Sequence, residues 1–147
     1  MRTIKFIIII IFLNSCQKNI SDIHSFSENK WDFNDSVIFY FNITDTILPK
    51  DLSFFVRNTV DYEYRNLFLL VETSYKNQTI KMDTLEYLIT DKYGQWLGNG
   101  SGEMKDNYLI FNESFIFKKS GKYSLTVQHG MRNNPLIGIN KLGFKVQ

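Results

Sequence analysis

From Asp35 onward the side chains alternate between apolar and polar, and a chain built that way can only fold by laying strands side by side. Val37, Phe39, Phe41 and Ile43 share one face of a strand while Ile38, Tyr40 and Asn42 share the other. Leu52, Phe54 and Val56 alternate with Ser53, Phe55 and Arg57 in a second, and Tyr123, Leu125 and Val127 alternate with Ser124, Thr126 and Gln128 in the most regular run. Leu67 to Val71 is apolar on both faces, which predicts a strand central in its sheet or covered on both sides. Lys76-Asn77-Gln78 predicts a tight hairpin into a strand from Thr79 to Leu88. Apolar parity shifts along that strand between Ile80 and Met82 on one side and Leu85 and Tyr87 on the other, the mark of a bulge. Tyr108 to Phe117, Tyr123 to His129 and Lys141 to Gln147 complete about seven strands, and helical period with caps is absent. The fold expected is an all-β antiparallel β-sandwich, with a partly open β-barrel as the alternative.

The amino-terminal segment obeys a different pattern. Arg2 and Lys5 precede an apolar run from Phe6 to Leu13, Ser15 supplies a small residue, and Cys16 follows as the only cysteine. These are the parts of an export signal over residues 1–15. The apolar run reaches roughly 12 Å as a helix, against the ~30 Å of a bilayer core, so it is too short to span a membrane. Leu13-Asn14-Ser15-Cys16 resembles a bacterial lipobox, in which the cysteine thiol is joined to diacylglycerol and the new amino terminus is acylated. An ordinary secretory signal with an incidental cysteine is the alternative. Polar residues from Gln17 to Glu28 read as a tether, giving a lipidated Cys16 with a flexible linker over residues 16–30 and one domain over residues 31–147.

Composition narrows function by exclusion. The chain carries 17 Lys and Arg against 15 Asp and Glu, and removing Arg2 and Lys5 with the signal brings the balance to zero. A neutral body without a basic cluster lacks the electrostatic drive for nucleic acid. With Cys16 lipidated there are neither disulfides nor thiol chemistry. His24 falls in the expected tether and His129 at a strand end, where a core-edge role competes with a catalytic one. Two unspaced histidines give no zinc ligand set, and Asp32-Phe33-Asn34-Asp35 lacks the glycine and distal glutamate of a calcium loop, so neither metal nor cofactor is expected. Gly98-Asn99-Gly100-Ser101-Gly102 reads as a strand connection, since it lacks the lysine and following helix of a phosphate loop.

Two segments are richer than a connection requires. Arg57 to Asn66 places Arg57, Asn58, Asp61, Tyr62, Tyr64 and Asn66 in one stretch, and His129 to Pro135 contains Met131 and Arg132. Tyrosine and arginine are enriched where proteins bind one another, because they join contact area to hydrogen bonding. Internal pairing of Arg57 or Arg132 with Asp61, with tyrosine hydroxyls pinning the loop, is the competing account. Trp96 beside Tyr93 is either a stacking platform for a sugar, together with Tyr64, or a turn aromatic folded onto the core edge.

Asn29-Lys30-Trp31, the whole of Leu52 to Glu72, Asp83 to Tyr87 with Gly94-Gln95-Trp96-Leu97-Gly98, and Gly121 to Arg132 resemble the gliding-motility lipoprotein family GldH of the Bacteroidetes. The family's usual Ala-Met-Arg after Gln128 is replaced here by His129-Gly130 before Met131. The resemblance implies a non-enzymatic, lipid-anchored accessory of the machinery for gliding motility and type IX secretion. It implies other envelope proteins as partners, and the interface-like composition of the connections makes Arg57, Asn58, Asp61, Tyr62, Tyr64, Asn66, Trp96, Met131 and Arg132 the candidate contacts. Gln17 after Cys16 favours outer-membrane sorting, with the body facing the periplasm; exposure at the cell surface is the alternative, since Gln17-Lys18 begins like the phylum's surface-export signal although Asn19-Ile20 replaces its acidic pair. Asp35-Ser36-Val37, Asp45-Thr46-Ile47 and Asp83-Thr84-Leu85 resemble the short O-glycosylation sites of exported proteins in that phylum.

Overall fold

A computed structural model describes residues 20–147, so the expected signal over residues 1–15 and the lipidated Cys16 lie outside the described residues. The ten strands are β1 (Ile20–Ser25), β2 (Lys30–Trp31), β3 (Val37–Ile43), β4 (Lys50–Thr59), β5 (Asn66–Tyr75), β6 (Gln78–Leu88), β7 (Met104–Phe115), β8 (Gly121–His129), β9 (Leu136–Ile137) and β10 (Ile139–Val146). They form two four-stranded sheets, ordered β1-β10-β4-β7 and β3-β8-β5-β6, with β2 and β9 as a short extra ladder. Every pairing is antiparallel. The sandwich is therefore the architecture, and the partly open barrel is not.

Alternation explains the layers. In β3 the buried residues Val37, Phe39, Phe41 and Ile43 face inward and their neighbours face solvent. β8 repeats the pattern with Tyr123, Leu125, Val127 and His129. From the other sheet Leu52, Phe54 and Val56 of β4 meet Leu142, Phe144 and Val146 of β10 in one core. Phe144 joins the layers, its ring centroid 5.4 Å from that of Phe41, 5.5 Å from Phe54 and 5.9 Å from Phe39. Such offset aromatic contacts add to the burial of large rings.

The expected hairpin is present. Lys76 and Asn77 both take positive φ, at 50° and 63°, the geometry of the two-residue turn whose twist matches a strand pair. The bulge is not where the parity change puts it: pairing is unbroken from Met82 to Leu85, where Ile80 and Met82 are simply exposed, and the register shifts instead at Ile80, since Thr73 pairs with Lys81 while Ser74 pairs with Thr79. β5 is flanked by β8 and β6, and its outward-facing Phe68 and Leu70 are half-buried.

Three further expectations are corrected. Tether character from Gln17 to Glu28 holds at most as far as Asn19, because β1 starts at Ile20 and pairs with β10 through Ser25. β1 is an edge strand whose residues from Asp22 to Ser25 are exposed, so backbone pairing places it and no apolar period announces it. His24 accordingly sits on a strand, its ring 4.8 Å from that of Phe26. The connection taken to run from Arg57 to Asn66 is shorter, since β4 continues to Thr59 and β5 begins at Asn66. Finally, β7 starts at Met104 rather than Tyr108 and ends at Phe115 rather than Phe117.

Candidate functional site

Antiparallel order gathers the unusual segments at one end of the sandwich. The β4–β5 connection, the long β6–β7 connection, the β8–β9 connection and β2 all cluster there, opposite the end where β1 enters at Ile20 beside Val146. All nine candidate contact residues fall in or beside these connections. Backbone hydrogen bonds tie these connections to one another and to β5: Ile89 and Thr90 N–H donate to the Arg65 carbonyl at 2.8 and 3.1 Å, and Gly130 N–H donates to the Phe68 carbonyl of β5 at 2.8 Å.

Several of the nine are spent internally. Arg57 donates through Nε and an Nη to both carboxylate oxygens of Asp106, at 2.6 and 2.7 Å, and not to Asp61. The guanidinium holds the Asp106 carboxyl below the usual carboxylate range, and both side chains keep about a third of their exposure, so the fork contributes on the order of 1 kcal/mol. Asn58 is fully buried. Its Nδ2 donates to the Thr59 carbonyl at 2.9 Å, and its Oδ1 accepts from Asn107 Nδ2 at 2.8 Å. Gly98 makes that pairing possible, since a Cβ there would stand 2.7 Å from Asn107 Oδ1. Tyr62 is buried with its hydroxyl donating to the Asn66 carbonyl at 2.7 Å, and burial pushes its phenol pKa up, with Tyr64 adding to the effect. Met131 is buried too, its sulfur accepting the Phe68 N–H at 3.3 Å. For Asn58, Tyr62 and Met131 the expectation of direct partner contact is corrected: a composition that reads as interface serves here to lock the connections.

The surface of this end is built from the remaining candidates. Asp61 and Arg132 are exposed, and Tyr64, Asn66 and Trp96 are half-buried. Asn66 donates to the Glu86 carboxylate at 2.6 Å. Tyr64 and Trp96 lean on the core, while Tyr93 stands 77% exposed with Lys92 Nζ 4.9 Å from its ring centroid. Tyr93, Trp96 and Tyr64 therefore differ too much in exposure to make one flat platform. Phe33, Val60, Leu88, Leu97 and Ile137 are exposed apolar residues at this end that sequence reasoning missed. Singly placed in connections or at strand ends, each looks like a core residue until the fold shows its face.

His129 lies at the centre and is fully buried. Its Nδ1 accepts the Met131 N–H at 3.4 Å, which leaves the proton of the neutral ring on Nε2, and Nε2 has no hydrogen-bond partner among the described residues. Trp31 and Phe33 meet it edge-on at 5.3 and 5.7 Å. Burial lowers its pKa, against opposing pulls from the Trp31 backbone, Asp32 and Asn134. As pH falls below the ordinary value of about 6.5, the unfolded chain binds this proton before the folded chain does. Stability from His129 is thus complete above that pH and declines as the pH drops through it. The melting temperature is expected to be lower at pH 5 than at pH 7.5, and a His129→Gln variant should show a shallower decline; equal slopes would remove His129 as the cause. Groups of three or more His, Cys, Asp or Glu that could hold a metal do not occur among the described residues.

Fold and site together define a β-sandwich that carries a pinned, loop-built surface at one end. The family model described as GldH lipoprotein matches residues 18–146. A gliding motility lipoprotein GldH homolog of Christiangramia forsetii is 36% identical over 150 residues, covering 97% of this chain and 92% of the relative. A gliding motility lipoprotein GldH of Flavobacterium johnsoniae is 29% identical over 145 residues, covering 93% and 90%. The chain belongs to the GldH lipoprotein family.

Proposed function

We propose that this chain is a lipid-anchored, non-enzymatic accessory of the envelope machinery for gliding motility and type IX secretion. It is held at the outer membrane through Cys16, faces the periplasm, and binds another envelope protein through its loop end. One observation supports this reading most strongly: β1 enters the sandwich at the end opposite the loops, so an anchor just upstream of Ile20 leaves the loop surface pointing away from it. That surface carries both charges, at Asp61 and Arg132, beside exposed apolar side chains such as Val60 and Leu97. Polar rims around apolar contact residues are how protein interfaces are built.

The variant chosen to test this must leave the lock intact. Asp61→Arg with Arg132→Glu changes two exposed side chains and none of the buried ones. Recovery of partner proteins from solubilised envelopes is expected to fall at least tenfold, because each substitution reverses a charge at the contact. Undiminished recovery with a folded variant would discard the loop surface as the binding site.

A further inference from the structure

The opposite end of the sandwich has a chemistry of its own. The β3–β4 connection, the Lys76-Asn77 turn and the β7–β8 connection all close there, beside the start of β1. Their tips are apolar where a turn is usually polar: Ile47 is 82% exposed, Leu48 55% and Ile116 53%. Between the sheets a cleft of about 320 Å³ runs in at this end, lined chiefly by Phe41, Leu52, Tyr75, Phe111, Phe117 and Leu125. Tyr87, whose hydroxyl donates to the Ile110 carbonyl at 2.9 Å, bridges β6 to β7 farther along. Lysines ring the apolar tips. Lys119 and Lys76 place their ammonium groups 5.6 and 5.3 Å from the centroid of the Tyr75 ring, and Lys118 and Lys122 are exposed beside them. None of these four has a carboxylate within salt-bridge distance among the described residues. The acids at this end, Asp45 and Asp51, accept backbone N–H groups of Ile47 and Leu48 and of Ser114, and Glu113 is exposed.

We propose that this end seats on a phospholipid surface, with Ile47, Leu48 and Ile116 entering the headgroup boundary and Lys76, Lys118, Lys119 and Lys122 meeting anionic phosphates. Apolar tips ringed by lysines suit that interface, because the lysine stems lie along apolar surface while the ammonium groups reach phosphate. Chain length argues for lipid over another occupant. Ile20, Val146, Leu52 and Asn112 lie in one row across the sheet, so the start of β1 stands about 10 Å from Leu52 at the cleft. Cys16 precedes Ile20 by four residues, a reach of at most about 14 Å. An acylated Cys16 therefore keeps these loop tips within contact distance of the bilayer it enters. The seat rests on the lipid-anchor reading of Cys16; it makes the anchored body stand upright and fixes which way the loop end points.

The test uses the full chain, purified after processing and reconstituted into vesicles of phosphatidylethanolamine and phosphatidylglycerol with dibrominated acyl chains. Cys16 is the only native cysteine, so when it is acylated a thiol-reactive fluorophore marks only an introduced one: Ile47→Cys, Ile116→Cys or, at the loop end, Val60→Cys. Fluorescence is expected to be quenched at least twofold at 47 and 116 and unchanged at 60. The mass of the mature amino-terminal peptide is read on the same sample. A peptide without diacylglycerol removes anchor and seat together. An acylated chain with 47 and 116 quenched no more than 60 removes the seat alone. If those positions stay bright while the protein runs as a dimer, the face belongs to a second copy and the seat is overturned.

Discussion

Gly138→Ala should lower the stability of this protein by about 3 kcal/mol or more, a loss on the scale reserved for named backbone and core defects. Gly138 takes a φ of +90°, where side chains are strained, and a Cβ there would stand 2.6 Å from the backbone nitrogen of Tyr62 and 2.7 Å from its Cα. Backbone cannot swing aside as a side-chain end can. The Gly138 carbonyl also accepts the Thr59 N–H at 2.8 Å, and its N–H donates to the Asn29 carbonyl at 2.8 Å. One residue thus fastens the end of β4, the β4–β5 connection and the segment leading into β2. Thermal unfolding should show the midpoint falling by roughly 10 °C. A shift of only a degree or two would mean that the connections are not locked through this crossing.

Trp31→Ala is the second large effect. Trp31 is fully buried, stacks on Phe26 at 4.7 Å and meets His129 edge-on, and its Nε1 donates to the Asp35 carbonyl at 2.8 Å. Truncating a buried tryptophan costs about 3 to 5 kcal/mol, most of it from the cavity left behind. Trp31→Phe separates the contributions: it keeps most of the ring contact and loses the N–H, so its cost should be well under half that of the alanine variant. Denaturant unfolding measures both. Equal costs would mean that the hydrogen bond to Asp35, and not packing around His129, holds this corner.

Much of the sandwich was legible because its inner faces are made by strict alternation. β3 and β8 match their expected bounds closely, whereas the parity shift in β6 misplaced the bulge, because two exposed apolar residues, Ile80 and Met82, imitate a change of face. β1 was not legible, since an edge strand paired only through its backbone needs no apolar face. Nor was the β2–β9 ladder, which is too short to show a period. At the candidate site, the fold brings the two segments that stood out in the sequence to one end. The division of labour within them did not show, because it depends on partners distant in sequence. Arg57 finds Asp106 across β4 and β7, Met131 finds the Phe68 N–H, and Tyr62 is capped by Gly138. Arginine, tyrosine and methionine have the same composition whether they grip a partner or their own chain, and only the register of the strands decides between the two. The exposed Val60, Leu97 and Ile137 were hidden by the converse ambiguity.

On the proposed function the molecule is polar in the mechanical sense, with its anchor at one end and its partner at the other. Photocrosslinking in the native envelope tests that directly, with a crosslinking side chain placed singly at 61, 132 or 116 in the full-length chain. The account predicts a discrete protein adduct from 61 and 132 and none from 116. The same adduct from 116, with positions 61 and 132 silent, would contradict it.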